Sequence, residues 1–256
     1  MPLVATATLF LSDLHLTPER PGAAASFRRF LNQKAPRADA LYLLGDLFEA
    51  WVGDDDLALP FHAGIAAALK QLAQSGVPLY FLPGNRDFLA GPDLARAAGL
   101  ALLKDPTRID LYGSPTLLAH GDAWCTDDAQ YQAFRAQVRD PGWRSEFLAK
   151  PLAERHALAA ALRCRSEQAK AGKRPEIMDV NPEAIAEAFR RHAVSRIIHG
   201  HTHRPAHHRL NVDGRPCDRW VLPDWYGDSG GYLACDASGC RAEKLATDVL
   251  ATDVWQ

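Results

Sequence analysis

The chain has 256 residues, 47% of them hydrophobic and 23% charged, with a formal net charge of −2. This is the composition of a globular protein of one large domain, or of one domain with an insertion. It excludes a nucleic-acid binder recognisable by bulk charge, and a membrane-spanning protein, since no apolar run approaches the ~20 residues that cross a bilayer.

Met1 to Thr8 carries no basic residue, so no secretory signal is expected. The five cysteines (Cys125, Cys164, Cys217, Cys235 and Cys240) are odd in number and form no Cys-x-x-Cys pair. They read as free thiols in a reducing compartment, which places the chain in the cytoplasm, with attachment to a membrane surface left open. Residues 7–11, Ala-Thr-Leu-Phe-Leu, have the continuous apolar character of a buried strand and end in Ser12-Asp13-Leu14-His15. Ala23 to Gln33 has helical spacing. Ala40 to Leu44 is a second buried strand, ending in Gly45-Asp46. The stretch that follows, through Glu49 to Asp54-Asp55-Asp56, is acidic and aromatic and reads as a solvated loop. Phe61 to Gln74 is helical and stops at Ser75-Gly76. Pro78 to Leu82 is a third strand, ending in Gly84-Asn85-Arg86-Asp87, and 92–98 is a short helix. Thr107–Leu111 and Thr116–Ala119 flank a hairpin turn, and the second of them runs into His120-Gly121-Asp122.

Residues 124–180 break this pattern and read as mostly helical. From Arg135 to Arg174 there are ten Lys or Arg against four Asp or Glu, an excess of six positives. Apolar residues (Phe134, Val138, Trp143, Phe147, Leu148, Leu152) interleave with them. The division expected is a core of 1–123 and 181–256 with a helical lid at 124–180. Those apolar residues either line a channel for acyl chains or pack the helices against themselves, and outward basic residues would meet anionic lipid. Asn181-Pro182 starts a further helix, Asn as the cap and Pro in the first turn. That helix leads to Ile197-Ile-His-Gly-His-Thr-His203. The remainder reads as antiparallel strands closing a second sheet, with turns at Asp213-Gly214 and Ser238-Gly239.

Strand, polar cluster, helix recurs along the chain, which argues for an α/β fold with its site at the carboxyl ends of the strands. On an extended backbone, residues two apart point the same way, so Asp13 and His15, and likewise His199, His201 and His203, can share a pocket. Collected, the strand ends offer Asp13, His15, Asp46, Asn85, His120, His201 and His203. Two carboxylates, four imidazoles and an amide are too many for one tetrahedral ion and suit two octahedral ions such as manganese, iron or zinc, with Asp46 bridging. Two such ions ~3.5–4 Å apart share a hydroxide and clamp a phosphoryl group.

Asp13-x-His15, Gly45-Asp46, Gly84-Asn85, His120 and Gly200-His201-x-His203 resemble the five-block signature of the calcineurin-like metallophosphoesterases. Longer blocks, among them LYLLGDLFEAWVGDDD at 41–56, HGDAWCTDDAQYQAFR at 120–135 and IIHGHTHRPAHH at 197–208, are similar to members that cleave UDP-2,3-diacylglucosamine in lipid A biosynthesis. The resemblance runs from about residue 8 to residue 240. It implies a four-layer αββα sandwich with an inserted helical lid, and two manganese ions. Asp13, His15, Asp46 and His203 would hold the first ion, and Asp46, Asn85, His120 and His201 the second. His199 would support the site without ligating. The resemblance also implies catalytic roles for Asn85, Arg86 and His120, and substrate contacts from Asn85, Arg86, Asp128, Ser166, Lys170, Lys173 and His201. The implied products are UMP and a diacylglucosamine 1-phosphate. A monomer lying peripherally on the cytoplasmic face of the inner membrane, without a nucleic-acid partner, is expected.

Many members of that family carry His after the block's Asn, where it can donate a proton. Arg86 stands there in this chain. A guanidinium does not release a proton at neutral pH but binds phosphate through two parallel hydrogen bonds. That favours a leaving group needing no protonation, such as a sugar phosphate. A phosphodiesterase or dinucleoside polyphosphatase acting on a soluble nucleotide is the alternative enzyme, and a binding scaffold would be expected to have lost ligands.

Overall fold

The computed structural model describes residues 6–171, 175–227 and 229–245. The first half runs β1 (Ala7–Leu11), α1 (Pro21–Gln33), β2 (Ala38–Leu43), α2 (Pro60–Gln74), β3 (Leu79–Phe81), α3 (Pro92–Ala98), β4 (Ala101–Leu102), β5 (Thr107–Leu111) and β6 (Ser114–Leu118). Three successive helices follow, α4 (Ala129–Arg139), α5 (Pro141–Leu148) and α6 (Leu152–Ala171). The chain closes with α7 (Pro182–His192), β7 (Arg196–His199), β8 (Ala206–Val212), β9 (Arg215–Val221), β10 (Gly231–Asp236) and β11 (Gly239–Lys244).

These strands form two sheets, ordered β11-β10-β1-β2-β3-β4 and β5-β6-β7-β9-β8. Alternation along single strands shows how the layers stack. Leu9 and Leu11 of β1 pack into a core shared with Phe27, Phe30, Ile65 and Leu69 of α1 and α2, whereas Phe10 between them points the other way. In the second sheet Leu117 and Ile197 pack under Ile185 and Phe189 of α7, whereas Leu118 and Ile198 join Phe10 between the sheets. Helices, sheet, sheet, helix is the four-layer αββα sandwich, and strict period-two burial on both faces is what makes it.

The closing strands correct the expectation of a single second sheet. β8 and β9 do join that sheet, β9 running parallel to β7, but β10 pairs antiparallel with β1 and, with β11, completes the first sheet. Cys235 and Cys240 are register partners across the β10–β11 hairpin and are joined by a disulfide, which corrects the reading of five free thiols. A separation of five residues hides a cross-strand pair that only the hairpin register reveals. The turns at Tyr112-Gly113 and Asp213-Gly214 join register partners Leu111–Ser114 and Val212–Arg215, with positive φ at all four residues, the geometry of a two-residue hairpin loop.

The helices α4–α6 pack back onto the first core. Phe147 is buried in it, and Trp143, Leu152 and Ala159 lie against it. Phe134, Leu148 and Leu158 instead remain 38–40% exposed. Neither packing of the helices against themselves nor a uniform apolar lining describes this division. No helix among the described residues is long and apolar enough to cross a membrane.

Candidate metal centre

The residues after β1 and β2 are zipped together beyond the sheet. Asp13 N donates to Gly45 O (3.1 Å), His15 N to Asp46 O (2.9 Å) and Leu16 N to Leu47 O (2.9 Å). Leu14, Leu16, Leu47 and Phe48 are fully buried, so the intervening Asp13, His15 and Asp46 are driven to the opposite side. The backbone there is not extended. Asp13, His15, Asp46, His201 and His203 all adopt positive φ, between 48° and 70°. The shared direction expected from strand geometry is therefore produced by left-handed kinks, each disfavoured by roughly 1–2 kcal/mol and held by the surrounding bonds.

Asp87 is the clamp behind these loops. Its Oδ1 accepts from Gly84 N (2.7 Å) and Asp46 N (3.2 Å), and its Oδ2 from Leu47 N (2.7 Å) and Phe48 N (3.4 Å). Gly200 is required by close approach: a Cβ there would lie 1.9 Å from Ser12 Oγ and 2.2 Å from Asp13 Oδ2. This contact lets His201 N donate to Asp13 Oδ2 at 2.8 Å and brings the loop after β7 against the loop after β1.

Two groups of donor atoms result. In the first, Asp13 Oδ1, His15 Nε2 and His203 Nε2 are 3.2–3.9 Å apart. In the second, His120 Nε2 lies 3.6 Å from Asp46 Oδ1 and 2.9 Å from Asn85 Oδ1. Asp46 faces both, since its Oδ2 is 3.8 Å from His15 Nε2. Metal–ligand bonds of about 2.1 Å place neighbouring donors about 3 Å apart, so both groups have the spacing of a coordination shell. Asp13 Oδ1 is buried without a hydrogen-bond partner, an orphan that a cation would satisfy. The donor set, mixed oxygen and imidazole nitrogen, fits divalent metal ions.

The Nδ1 atoms are arranged to leave Nε2 as the inward atom. His120 Nδ1 donates to Leu44 O at 3.0 Å, His203 Nδ1 is 3.4 Å from Asp224, and His15 Nδ1 is 3.6 Å from Glu49. His201 lies edge-on to His120, ring centroids 5.0 Å apart, and is stacked on Tyr131 of α4 at 5.8 Å. Burial pushes the imidazoles of His15 and His201 down to about 3, so both present neutral rings. Burial opposes charge on Asp13, but His203, His120 and His15 together hold its carboxyl well below the usual range. Burial, with the charges of Asp87 and Asp13, lifts Asp46 to about 7. His120 rises to about 9 against its own burial, because Asp46, Asp13 and Asp122 surround it. A cation entering between Asp46 and His120 must displace a proton.

His199 is not in the cluster. It is the last residue of β7 and fully buried, its Nδ1 donating to Gly200 O (2.9 Å) and its Nε2 accepting from Arg219 (3.1 Å). This corrects the alternate-position expectation, because His199 remains in the sheet while His201 and His203 lie beyond it. Arg86 N donates to Asp46 Oδ1 at 2.8 Å, which roots its side chain beside the shared carboxylate. Asp128 caps α4, accepting from Tyr131 N at 3.1 Å. Ser166 is exposed on α6, the Lys170 side chain is not described, and Lys173 lies outside the described residues.

The acidic stretch is not a uniformly solvated loop, although Asp55 is exposed. Asp56 is fully buried, accepting from Val52 N and lying 2.6 Å from His156. Asp54 accepts from Gly91, Asp93 and Leu94 N–H groups at the start of α3. Asp55 pairs with Arg155, and buried Glu49 with Arg20 and Arg163. Asp122, also buried, accepts from Tyr131 Oη, Arg135 and Arg139. Three of the basic residues of 124–180, Arg135, Arg139 and Arg163, are therefore committed to buried carboxylates, and a fourth, Arg155, to Asp55 at the surface. Asp87, Asp122 and Tyr131 were not singled out from sequence. Their only signal is membership of the strand-end clusters and of the first insertion helix.

Residues 7–205 match the calcineurin-like phosphoesterase family. The chain is 53% identical over 248 residues to the UDP-2,3-diacylglucosamine hydrolase of Stenotrophomonas maltophilia strain K279a, covering 94% of this chain and 99% of that one. It is 53% identical over 222 residues to the Klebsiella pneumoniae protein of the same name, covering 87% and 92%. A solved archaeal phosphodiesterase aligns over 94% of this chain and 100% of its own at 11% identity, TM-score 0.46.

Proposed function

The chain belongs to the calcineurin-like phosphoesterase family, and from that premise we propose that it hydrolyses UDP-2,3-diacylglucosamine, a step of lipid A biosynthesis. The reading is carried by a single observation. In a chain 53% identical over 248 residues to a hydrolase of that name, the donor atoms of Asp13, His15, Asp46, Asn85, His120 and His203 lie together, with the two oxygens of Asp46 turned to different groups and the His201 ring beside that of His120.

In this reading Asp13, His15, Asp46 and His203 hold one divalent ion and Asp46, Asn85, His120 and His201 the other, manganese being the metal proposed. Such a pair supplies an activated water and neutralises phosphoryl charge. The chain's own groups do the rest. Arg86, anchored at its backbone to Asp46, binds a phosphoryl oxygen pair and holds charge without releasing a proton. The bond broken is the pyrophosphate, giving UMP and 2,3-diacylglucosamine 1-phosphate, and the sugar phosphate departs as an anion. Asn85 and His201 hold the phosphoryl group from either side, and Tyr131, fixed by Asp122, orients His201.

Helices α4–α6 act as a lid (124–180) over a core of 1–123 and 181–256. The exposed Phe134, Leu148 and Leu158 are available to acyl chains, each buried methylene contributing ~0.8 kcal/mol. Asp128, Ser166, Lys170 and Lys173 complete the substrate contacts. The protein works as a monomer at the cytoplasmic face of the inner membrane.

The test is turnover of UDP-2,3-diacylglucosamine beside UDP-glucose by chelator-stripped protein resupplied with manganese. UMP from the first substrate alone supports the reading. Equal turnover of both promotes a soluble-nucleotide phosphodiesterase. Phe134→Ser and Leu148→Ser should narrow the preference for diacylated over deacylated substrate. Phe147 is buried in the main core, so replacing it would report on folding instead.

A further inference from the structure

A cavity lies at the root of the insertion, outside the candidate metal centre. It has a volume of about 290 Å³ and is lined by Asp179, Thr202, Arg204, His208 and Arg219 among others. Asp179 and Arg204 neutralise each other through a 2.8 Å ion pair. Arg219 feels the same Asp179 charge but makes no direct ion pair with it. It is half-buried on β9, and its one hydrogen bond goes to His199 Nε2. That imidazole cannot balance the charge: its Nδ1 proton is already given to Gly200 O, so the ring is neutral and serves only as an acceptor. The remaining guanidinium N–H groups have no partner among the described residues. Thr202, which lines the same cavity, has a buried Oγ1 that is also without a hydrogen-bond partner. Two guanidinium groups, Arg204 and Arg219, thus share the single carboxylate of Asp179, and the wall of the cavity between them carries an unused hydroxyl; one positive charge is left over, and an oxyanion would balance it.

We infer that the Arg219–Thr202 cavity is a second anion site, taking a phosphoryl group through two guanidinium N–H groups and the Thr202 hydroxyl. Thr202 stands between His201 and His203, so an occupant of this cavity touches the same loop from its other side. Two sources carry that chemistry: free inorganic phosphate, and the phosphate of a nucleoside monophosphate. The site does not depend on the reaction proposed above.

The experiment is calorimetric titration of the full-length, metal-loaded protein with inorganic phosphate, repeated after chelation, and then with UMP. One binding event should survive removal of metal. Arg219→Met should weaken that event at least tenfold, and the near-isosteric Thr202→Val should weaken it several-fold. Arg86→Met should leave it unchanged. Urea unfolding of each variant identifies any that fail to fold, and Thr202→Val keeps the test decisive if Arg219→Met does. UMP binding tenfold or more tightly than phosphate identifies a nucleotide as occupant, and equal affinities identify the free anion. Absence of any event after chelation overturns the inference. So does an event unmoved by both cavity variants.

Discussion

Asp87→Asn isolates the contribution of one buried carboxylate to the site's architecture. The two oxygens of Asp87 serve different loops, Oδ1 taking Gly84 N and Asp46 N, Oδ2 taking Leu47 N and Phe48 N. An amide has one acceptor oxygen. Whichever way it turns, one 2.7 Å bond is lost and an NH₂ group faces two backbone donors in a fully buried pocket. Leaving a buried donor unmet costs about 1–3 kcal/mol, and donor-to-donor repulsion adds to it, so a loss of about 2–5 kcal/mol is expected. Against a typical total of about 5–15 kcal/mol this is a large fraction. With a urea slope of about 3 kcal/mol/M, the unfolding midpoint should fall by about 1 M. Equilibrium urea unfolding followed by tryptophan emission measures it, and metal analysis of the folded fraction should show weakened retention at Asp46. A midpoint within about 0.2 M of wild type, at unchanged slope, would refute the clamp.

Asp46→Ala removes the carboxylate facing both donor groups, so metal content should fall at both positions together and activity by orders of magnitude; two ions retained at full occupancy would exclude bridging. Arg86→Lys should lose most activity because a point charge does not replace a fork, and wild-type rates from that variant would dismiss the bidentate role. Arg86→His should lose pyrophosphate cleavage while opening activity on alkyl phosphodiesters, read by paired assays. In the native protein at pH 8, iodoacetamide should modify exposed Cys164 first, because burial pushes the Cys125 thiol up to about 12; mass spectrometry showing early Cys125 modification would contradict that environment.

The layers, and the strand ends that bring Asp13, His15, Asp46, Asn85, His120 and His203 together, were legible because they follow from patterns the chain cannot avoid displaying. Apolar runs of strand length with polar residues at their ends announce a sheet and its rim, and Asn181-Pro182 announces a helix start. What stayed hidden was long-range. Nothing local says that Cys235 faces Cys240, or that β10 returns to β1. Asp54, Asp55, Asp56 and Glu49 read as solvated because their partners are α3 backbone groups, Arg20 and residues of α6 about a hundred positions away. The clustering of His201 and His203 was anticipated, but for a strand geometry that the backbone does not adopt.

The left-handed backbone at Asp13, His15, Asp46, His201 and His203 narrows what substitution can achieve there. Among non-glycine residues, Asp, Asn and His enter that conformation most readily. They are also residues able to offer oxygen or nitrogen to a cation. At these five positions the alphabet is therefore cut twice, by dihedral angle and by donor chemistry, and the two cuts leave nearly the same few letters. A β-branched or bulky apolar replacement fails on backbone energy before the loss of a ligand is felt, and glycine satisfies the backbone while offering no donor side chain. Drift between ligand types along this rim is thus confined to exchanges among Asp, Asn and His, whatever the reaction the rim is made to serve.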